Sequence, residues 1–220
     1  IGALAEFWRS GVIDRAGRFS SGLKTDRLRK TDEGYEFVLV RAEESGGDRD
    51  IVITQSDIEN LLRAKAAVFA GIRSLISSVG VDLESISKIY VAGGFGNFID
   101  LEEAVTIGLV PDVPRNKYRF VGNTSVYGAK LCLLSRQARE RAREIARKIT
   151  YLELSVGNTF MEEFVSALFL PHTNLELFPS LSLSTKSGEG GGAGDGPASR
   201  KVGEEEKGIR HVRTLAAGMK

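Results

Sequence analysis

The chain has 220 residues, 42% of them hydrophobic and 27% charged, and a formal net charge of +1. That length holds one full domain or two small ones, with enough apolar material for a core. The near-balanced charge excludes a strong overall attraction to nucleic acid or an anionic membrane. The single cysteine, Cys132, excludes an intrachain disulfide or a cysteine metal cluster and suits a reducing cytoplasm. No apolar run approaches the roughly 20 residues that cross a bilayer. The chain opens at Ile1 with no initiating methionine and no basic leader, directly in helical pattern, which reads as a beginning that lies upstream.

Residues 1–8 read as the end of an apolar helix, and Ser10-Gly11 and Asp14-Arg15-Ala16-Gly17 supply turn chemistry after it. Residues 18–33 are polar and read as loop. Residues 35–40 and 51–53 are β-branched or aromatic runs separated by a turn containing Gly46-Gly47, hence a hairpin. A long helix follows, with Ser56 and Glu59 as a capping box. Its apolar stripe runs through Ile58, Leu61, Leu62, Lys65, Val68, Phe69, Ile72, Leu75 and Ile76 and ends near Gly80.

Residues 88–92 form a short strand of buried type, 101–107 a short helix, and Pro111 and Pro114 mark a loop. Residues 118–121 form another strand, 126–134 a helix, and 136–148 a charged helix continuing it. Residues 151–154 read as a last edge strand, and 160–170 as a closing amphipathic helix stopped by Pro171. From about residue 181 the composition turns to glycine and charge, a stretch that buries too little to offset chain entropy and is expected to be disordered. The strand–helix alternation predicts an α/β layer with parallel strands, made a mixed sheet with flanking helices by the initial hairpin.

Two segments stand out chemically. The first is Tyr90-Val91-Ala92-Gly93-Gly94-Phe95-Gly96-Asn97, where a strand ends in three glycines within four residues. Glycine lets main chain approach a ligand, and bare N–H groups at a strand end can face a phosphate or a nucleoside edge; a tight turn with no ligand satisfies the same pattern. It is not a dinucleotide fingerprint. The G-x-G-x-x-G spacing is missing, and Asp112, at the right distance, lies between prolines. No phosphate loop of the G-x-x-x-x-G-K-S/T type occurs anywhere. The second segment is Phe120-Val121-Gly122-Asn123-Thr124-Ser125-Val126-Tyr127-Gly128-Ala129, a strand entering a helix through a capping residue, with small residues that suit close packing.

In their order along the chain these pieces resemble the second half of an ATPase of the actin, sugar-kinase and heat-shock type (ASKHA, ribonuclease H-like). More closely, residues 1–180 resemble the C-terminal ATPase-like domain of reductive activators of corrinoid proteins. The matching pieces are Trp8-Arg9-Ser10-Gly11-Val12-Ile13-Asp14-Arg15-Ala16-Gly17-Arg18-Phe19, Ile53-Thr54-Gln55-Ser56-Asp57-Ile58, Ala64-Lys65-Ala66-Ala67, Val91 to Asn97, Phe120 to Ser125 and Phe169-Leu170-Pro171-His172-Thr173.

The resemblance implies ATP with Mg as ligand, with Gly93, Gly94, Phe95, Gly96, Asn97 and Lys65 toward the adenosine and Gly128-Ala129 in the hinge. It also implies a corrinoid protein as partner, a homodimer, and an upstream ferredoxin-like domain holding a 2Fe–2S cluster that reduces Co(II) to Co(I). The family's phosphate loops and cluster cysteines have no match here, so the chain by itself is expected to supply an adenosine wall and no turnover. Two rivals remain open: an activator of another metalloenzyme such as a 2-hydroxyacyl-CoA dehydratase, and a nucleotide-sensing module without turnover.

The other tempting residues have plain readings. Lys65 can equally cover apolar surface with its stem. Cys132 reads as core, His172 as a surface or capping residue, and Asp100, Glu102 and Glu103 as a helix start. The run 136–148 reads as a solvated face, with docking of an acidic partner as the other reading.

Overall fold

The computed structural model of the chain describes residues 1–154, 156 and 159–181, and only the backbone of Phe95 and Asn97. Apart from Leu181, the glycine- and charge-rich tail lies outside the described residues.

The first layer is built on aromatic packing. Helix α1 (Gly2–Arg9) buries Leu4, Ala5 and Phe7. It faces an antiparallel sheet of β1 (Leu28–Thr31), β2 (Gly34–Val40) and β3 (Ile51–Thr54), in that order. Register places Phe37 between Leu28 and Ile53, and the Phe7 and Phe37 rings meet edge-on at 4.9 Å. The hairpin is as expected, with a single helical turn, α2 (Ala42–Ser45), inside its connection. Strand β1 falls where a loop was expected. Its residues Leu-Arg-Lys-Thr are exposed after the first, so they carry no apolar signal, and ladder bonds to β2 hold them.

Helix α3 (Gln55–Ser78) starts one turn-residue earlier than its expected cap. Thr54 and Asp57 close the capping box in place of Ser56 and Glu59: the Asp57 N–H donates to Thr54 Oγ1 and the Thr54 N–H to Asp57 Oδ2. The helix buries Ile58 and Leu62 in one cluster with α1 and the sheet, and Ala66 and Phe69 in a second with Val105, Ala167 and Phe178. Val68 and Leu75, expected on the buried stripe, are exposed. Helix α4 (Leu101–Thr106) starts at Asp100, whose Oδ1 accepts the Glu103 N–H, and α7 (Thr159–Ser166) packs along α3.

Helix α7 stops at Ser166, four residues short of the expected end, and the chain beyond it is gripped by two cations. Lys65 Nζ, fully buried, donates to the carbonyls of Phe169 (2.5 Å) and Pro171 (2.8 Å). Arg15 donates to the carbonyls between and after them, Leu170 (3.2 Å) and His172 (2.7 Å). The four successive carbonyls of residues 169–172 are thus taken alternately by Lys65 and Arg15. His172 is buried, a correction to its expected surface position, because its ring lies against Phe69. Its Nδ1 accepts the Asn174 N–H, so the turn-capping role stands; Nε2 carries the proton and faces Glu163 Oε2 at 3.5 Å. Glu163 in turn receives Arg73.

The second layer is a two-stranded parallel sheet of β4 (Ile89–Ala92) and β5 (Tyr118–Gly122), followed by α5 (Thr124–Leu134) and α6 (Arg136–Ala146). The strands therefore lie in two sheets, one antiparallel and one parallel, and not in a single one. Strand β4 is not of buried type: Tyr90 is 63% exposed, since among the described residues nothing covers that face. Nor is Cys132 in a core; it is half-buried. The charged helix does not continue α5: Ser135 is extended and caps α6 through the Ala138 N–H. No strand forms among the described residues of 151–154. No described hydrophobic residue between Tyr118 and Ala167 belongs to the buried set.

Candidate nucleoside site at the carboxyl edge of the parallel pair

Parallel pairing puts the carboxyl ends of β4 and β5 at the same edge, the place where open α/β sheets bind ligands. The two glycine-bearing segments singled out in the sequence therefore lie side by side. The Gly93 N–H donates to the Gly122 carbonyl at 2.8 Å, just past a register shift between Val91 and Ala92.

The three glycines of the first segment stand in three different environments. Gly93 has φ +104°, which L side chains rarely adopt. Gly96 is buried, and a Cβ on it would lie 2.9 Å from Val91 Cγ1, so it is a packing glycine. Gly94 needs neither reason. Its backbone is ordinary right-handed helical, φ −59° and ψ −41°, it is exposed, and a Cβ would meet none of the described residues within 4 Å. Bare main chain at Gly94 thus faces open space beside the edge.

A 3-10 turn, Phe95–Phe98, follows, with Phe98 88% exposed. The side chains of Phe95 and Asn97 lie outside what the structure describes. Just past the neighbouring strand Asn123 caps α5, its Oδ1 accepting the Val126 N–H at 3.1 Å. The edge accordingly offers main-chain groups, a helix start and an exposed aromatic ring, but only one wall. Gly128, assigned to a hinge contact, has nothing within 4 Å of its Cβ position, so the small surface there is unfilled by any described residue.

Lys65 is not brought to this edge by any described contact; its ammonium is engaged with the carbonyls of Phe169 and Pro171. Burial pushes its pKa down to about 7. Glu102, read as part of a helix start, receives Arg115 through two bonds of 2.7 and 2.9 Å, which holds its carboxyl below the usual range. Arg115 also binds Asp112. These acids are ion-paired and build no reactive pair. Among the described residues no group of three or more His, Cys, Asp or Glu could hold a metal ion. Other recesses lie away from the edge: one of about 290 Å³ beside β1 and β2 is lined by Asp26, Arg29, Arg41, Glu43 and Asp50. No helix among the described residues is long and apolar enough to cross a membrane.

A helix–sheet module of this order, with a glycine turn at a parallel edge, is the second half of an ASKHA domain. The chain belongs to the family described as the C-terminal domain of RACo, the ASKHA domain, whose model matches residues 1–182. It is 32% identical over 173 residues to the corrinoid activation enzyme RamQ of Eubacterium limosum, covering 75% of this chain and 29% of that protein. It is 31% identical over 120 residues to the Co(II) methylated amine-specific corrinoid protein reductase of Methanosarcina barkeri, covering 54% and 22%. Among solved structures, a reductive activator for corrinoid,iron-sulfur protein superposes with a TM-score of 0.76 at 54% identity, over 80% of this chain and 28% of that one. The chain thus spans less than a third of the length of these relatives.

Proposed function

We propose that this chain is the nucleoside-facing part of the ATPase module of a reductive activator, which couples ATP to the reduction of a corrinoid protein from Co(II) to Co(I). The observation that carries the reading is the open main chain at Gly94, held beside Gly122 at the carboxyl edge of the parallel pair. The names of the relatives, all activators or reductases of corrinoid proteins, supply the direction of the chemistry.

The residues present fit a nucleoside on one side. Gly93 and Gly94 would hold its edge by main-chain contact, and the Asn123-capped start of α5 would face the groups beyond it. The opposing wall, the phosphate contacts and the Mg ion belong to other parts of the whole protein. ATP, when bound, supplies the free energy for a closure that makes an unfavourable electron transfer accessible. A 2Fe–2S cluster would receive no ligand set from this chain, which has one cysteine. Lys65 acts away from the edge, by fixing residues 169–171 to α3.

The test is reduction of the corrinoid protein by the full-length protein and a chemical electron donor, followed by the visible absorption of Co(II) and Co(I). Co(I) should accumulate with ATP and not with buffer alone. Equal Co(I) yield with and without ATP would overturn the coupling.

A further inference from the structure

We propose that the arginine stripe of α6 is a docking surface for an acidic protein face, that of the corrinoid protein to be reduced; the identity of the partner rests on the function proposed above. Residues 130–148 hold seven basic and two acidic side chains in a chain whose net charge is +1. At about 100° per residue, Arg136, Arg139 and Arg143, with Arg147 at the C-cap, fall within one sector of the helix, and Ala138, Ala142 and Ile145 fall opposite. Ile145 and Ile149 are 52% and 73% exposed, and α5, against which α6 packs, exposes Val126, Tyr127, Leu133 and Leu134. The remainder of the whole protein would lie over α5, which is apolar on most sides as an interior helix is, and over the alanine and isoleucine side of α6. Covering it turns the arginine sector outward.

Half of the stripe is engaged internally and half is not. Glu140 takes Arg136 at 3.0 Å, and Arg139 donates to the Cys132 carbonyl, which fixes the α5–α6 corner. Among the described residues Arg143, Arg147 and Lys148 have no partner, and all three are exposed. Arginine binds carboxylates bidentately and is less hydrated than lysine, which suits a protein face lined with Asp and Glu. A lipid surface fits less well, because the apolar sector of the helix holds two alanines and one isoleucine and faces the other way. Nucleic acid fits less well too, since no aromatic side chain is interleaved with the arginines.

The experiment measures association of the full-length protein with the corrinoid protein by stopped flow at low and high salt. Three proteins are compared: wild type, Arg143→Glu/Arg147→Glu, and Lys24→Glu/Lys30→Glu, which makes the same charge change on exposed residues elsewhere. Thermal unfolding checks that each is folded. Steering by a local patch predicts an association rate about tenfold or more lower for the arginine pair at low salt, converging with wild type at high salt, and a change of about threefold or less for the lysine pair. Equal rates for wild type and the arginine pair, or equal losses for both variants, would overturn the docking surface while leaving the proposed function standing. Absence of any wild-type association would remove the partner and the proposal together. Binding of the wild type to anionic vesicles or duplex DNA, lost in the arginine pair while corrinoid-protein binding persists, would assign the stripe to that other surface.

Discussion

Lys65→Met keeps the length of the side chain and removes its charge and its two hydrogen bonds. Two effects follow, and pH separates them. The first is loss of the only described donors from this helix to the carbonyls of Phe169 and Pro171, worth about 1–3 kcal/mol for each carbonyl left unsatisfied. The second is the burial of a charge. In the folded chain the ammonium releases its proton at about pH 7, against 10.5 for the ordinary group. Between those values the unfolded chain holds a proton that the folded chain has given up, so wild-type stability rises with pH across that window. The shift of about three and a half units sets a ceiling near 5 kcal/mol, at 1.36 kcal/mol per unit, and solvent relaxation will lower what is realised to about 2–4 kcal/mol. The neutral amine still has two N–H groups, so both carbonyls stay bonded throughout. Urea unfolding followed by circular dichroism, at pH 7 and at pH 10 for both proteins, isolates the effect. The wild-type advantage over Lys65→Met should be about 2–4 kcal/mol larger at pH 10. Other titrating groups are common to both proteins and cancel in that difference. Parallel stability–pH curves would refute a lysine that is buried at the cost of its charge.

Two further substitutions test the packing around the gripped segment and the start of α3. Gly108 has φ +73°, and a Cβ on it would lie 2.0 Å from the Pro171 carbonyl oxygen; Gly11, at φ +76°, has nothing within 4 Å. Gly108→Ala should therefore cost about 2–4 kcal/mol and Gly11→Ala about 1 kcal/mol, read as the difference in urea midpoints. Thr54→Ala removes one half of the capping box and should lower stability by about 1 kcal/mol, whereas Ser56→Ala should change it by less than about 0.5 kcal/mol.

The parts of the fold that follow from local chemistry are the parts that can be read in the chain. Residues 35–40 and 51–53 announce a hairpin through their β-branched and aromatic runs, and α3 announces itself through its stripe. Both glycine segments mark strand ends, and the structure sets those ends side by side. What could not be read depends on partners far away in sequence. Strand β1 has no apolar face and exists because β2 offers it a ladder. Lys65 looks like a residue that could reach out of a helix, and its true partners come 104 and 106 residues later. Beyond the end of α7 at Ser166, the carbonyls of residues 169–172 likewise find their partners, Lys65 and Arg15, far away in sequence. Strand β4 reads as buried because it is apolar, but no described residue covers the face that carries Tyr90. At the candidate site, Gly94 carried the same signal in the sequence as Gly96, and only the space around each separates an open main-chain surface from a packing contact.

That difference gives the most direct measurement. Gly94→Val places two methyl groups in the open space beside the edge, in a backbone conformation that valine accepts, so the variant should unfold at the wild-type temperature. Titration calorimetry of the full-length protein with ATP should show a Kd about tenfold or more weaker in Gly94→Val. An unchanged Kd in a variant of unchanged stability would remove the nucleoside from this edge and contradict the account.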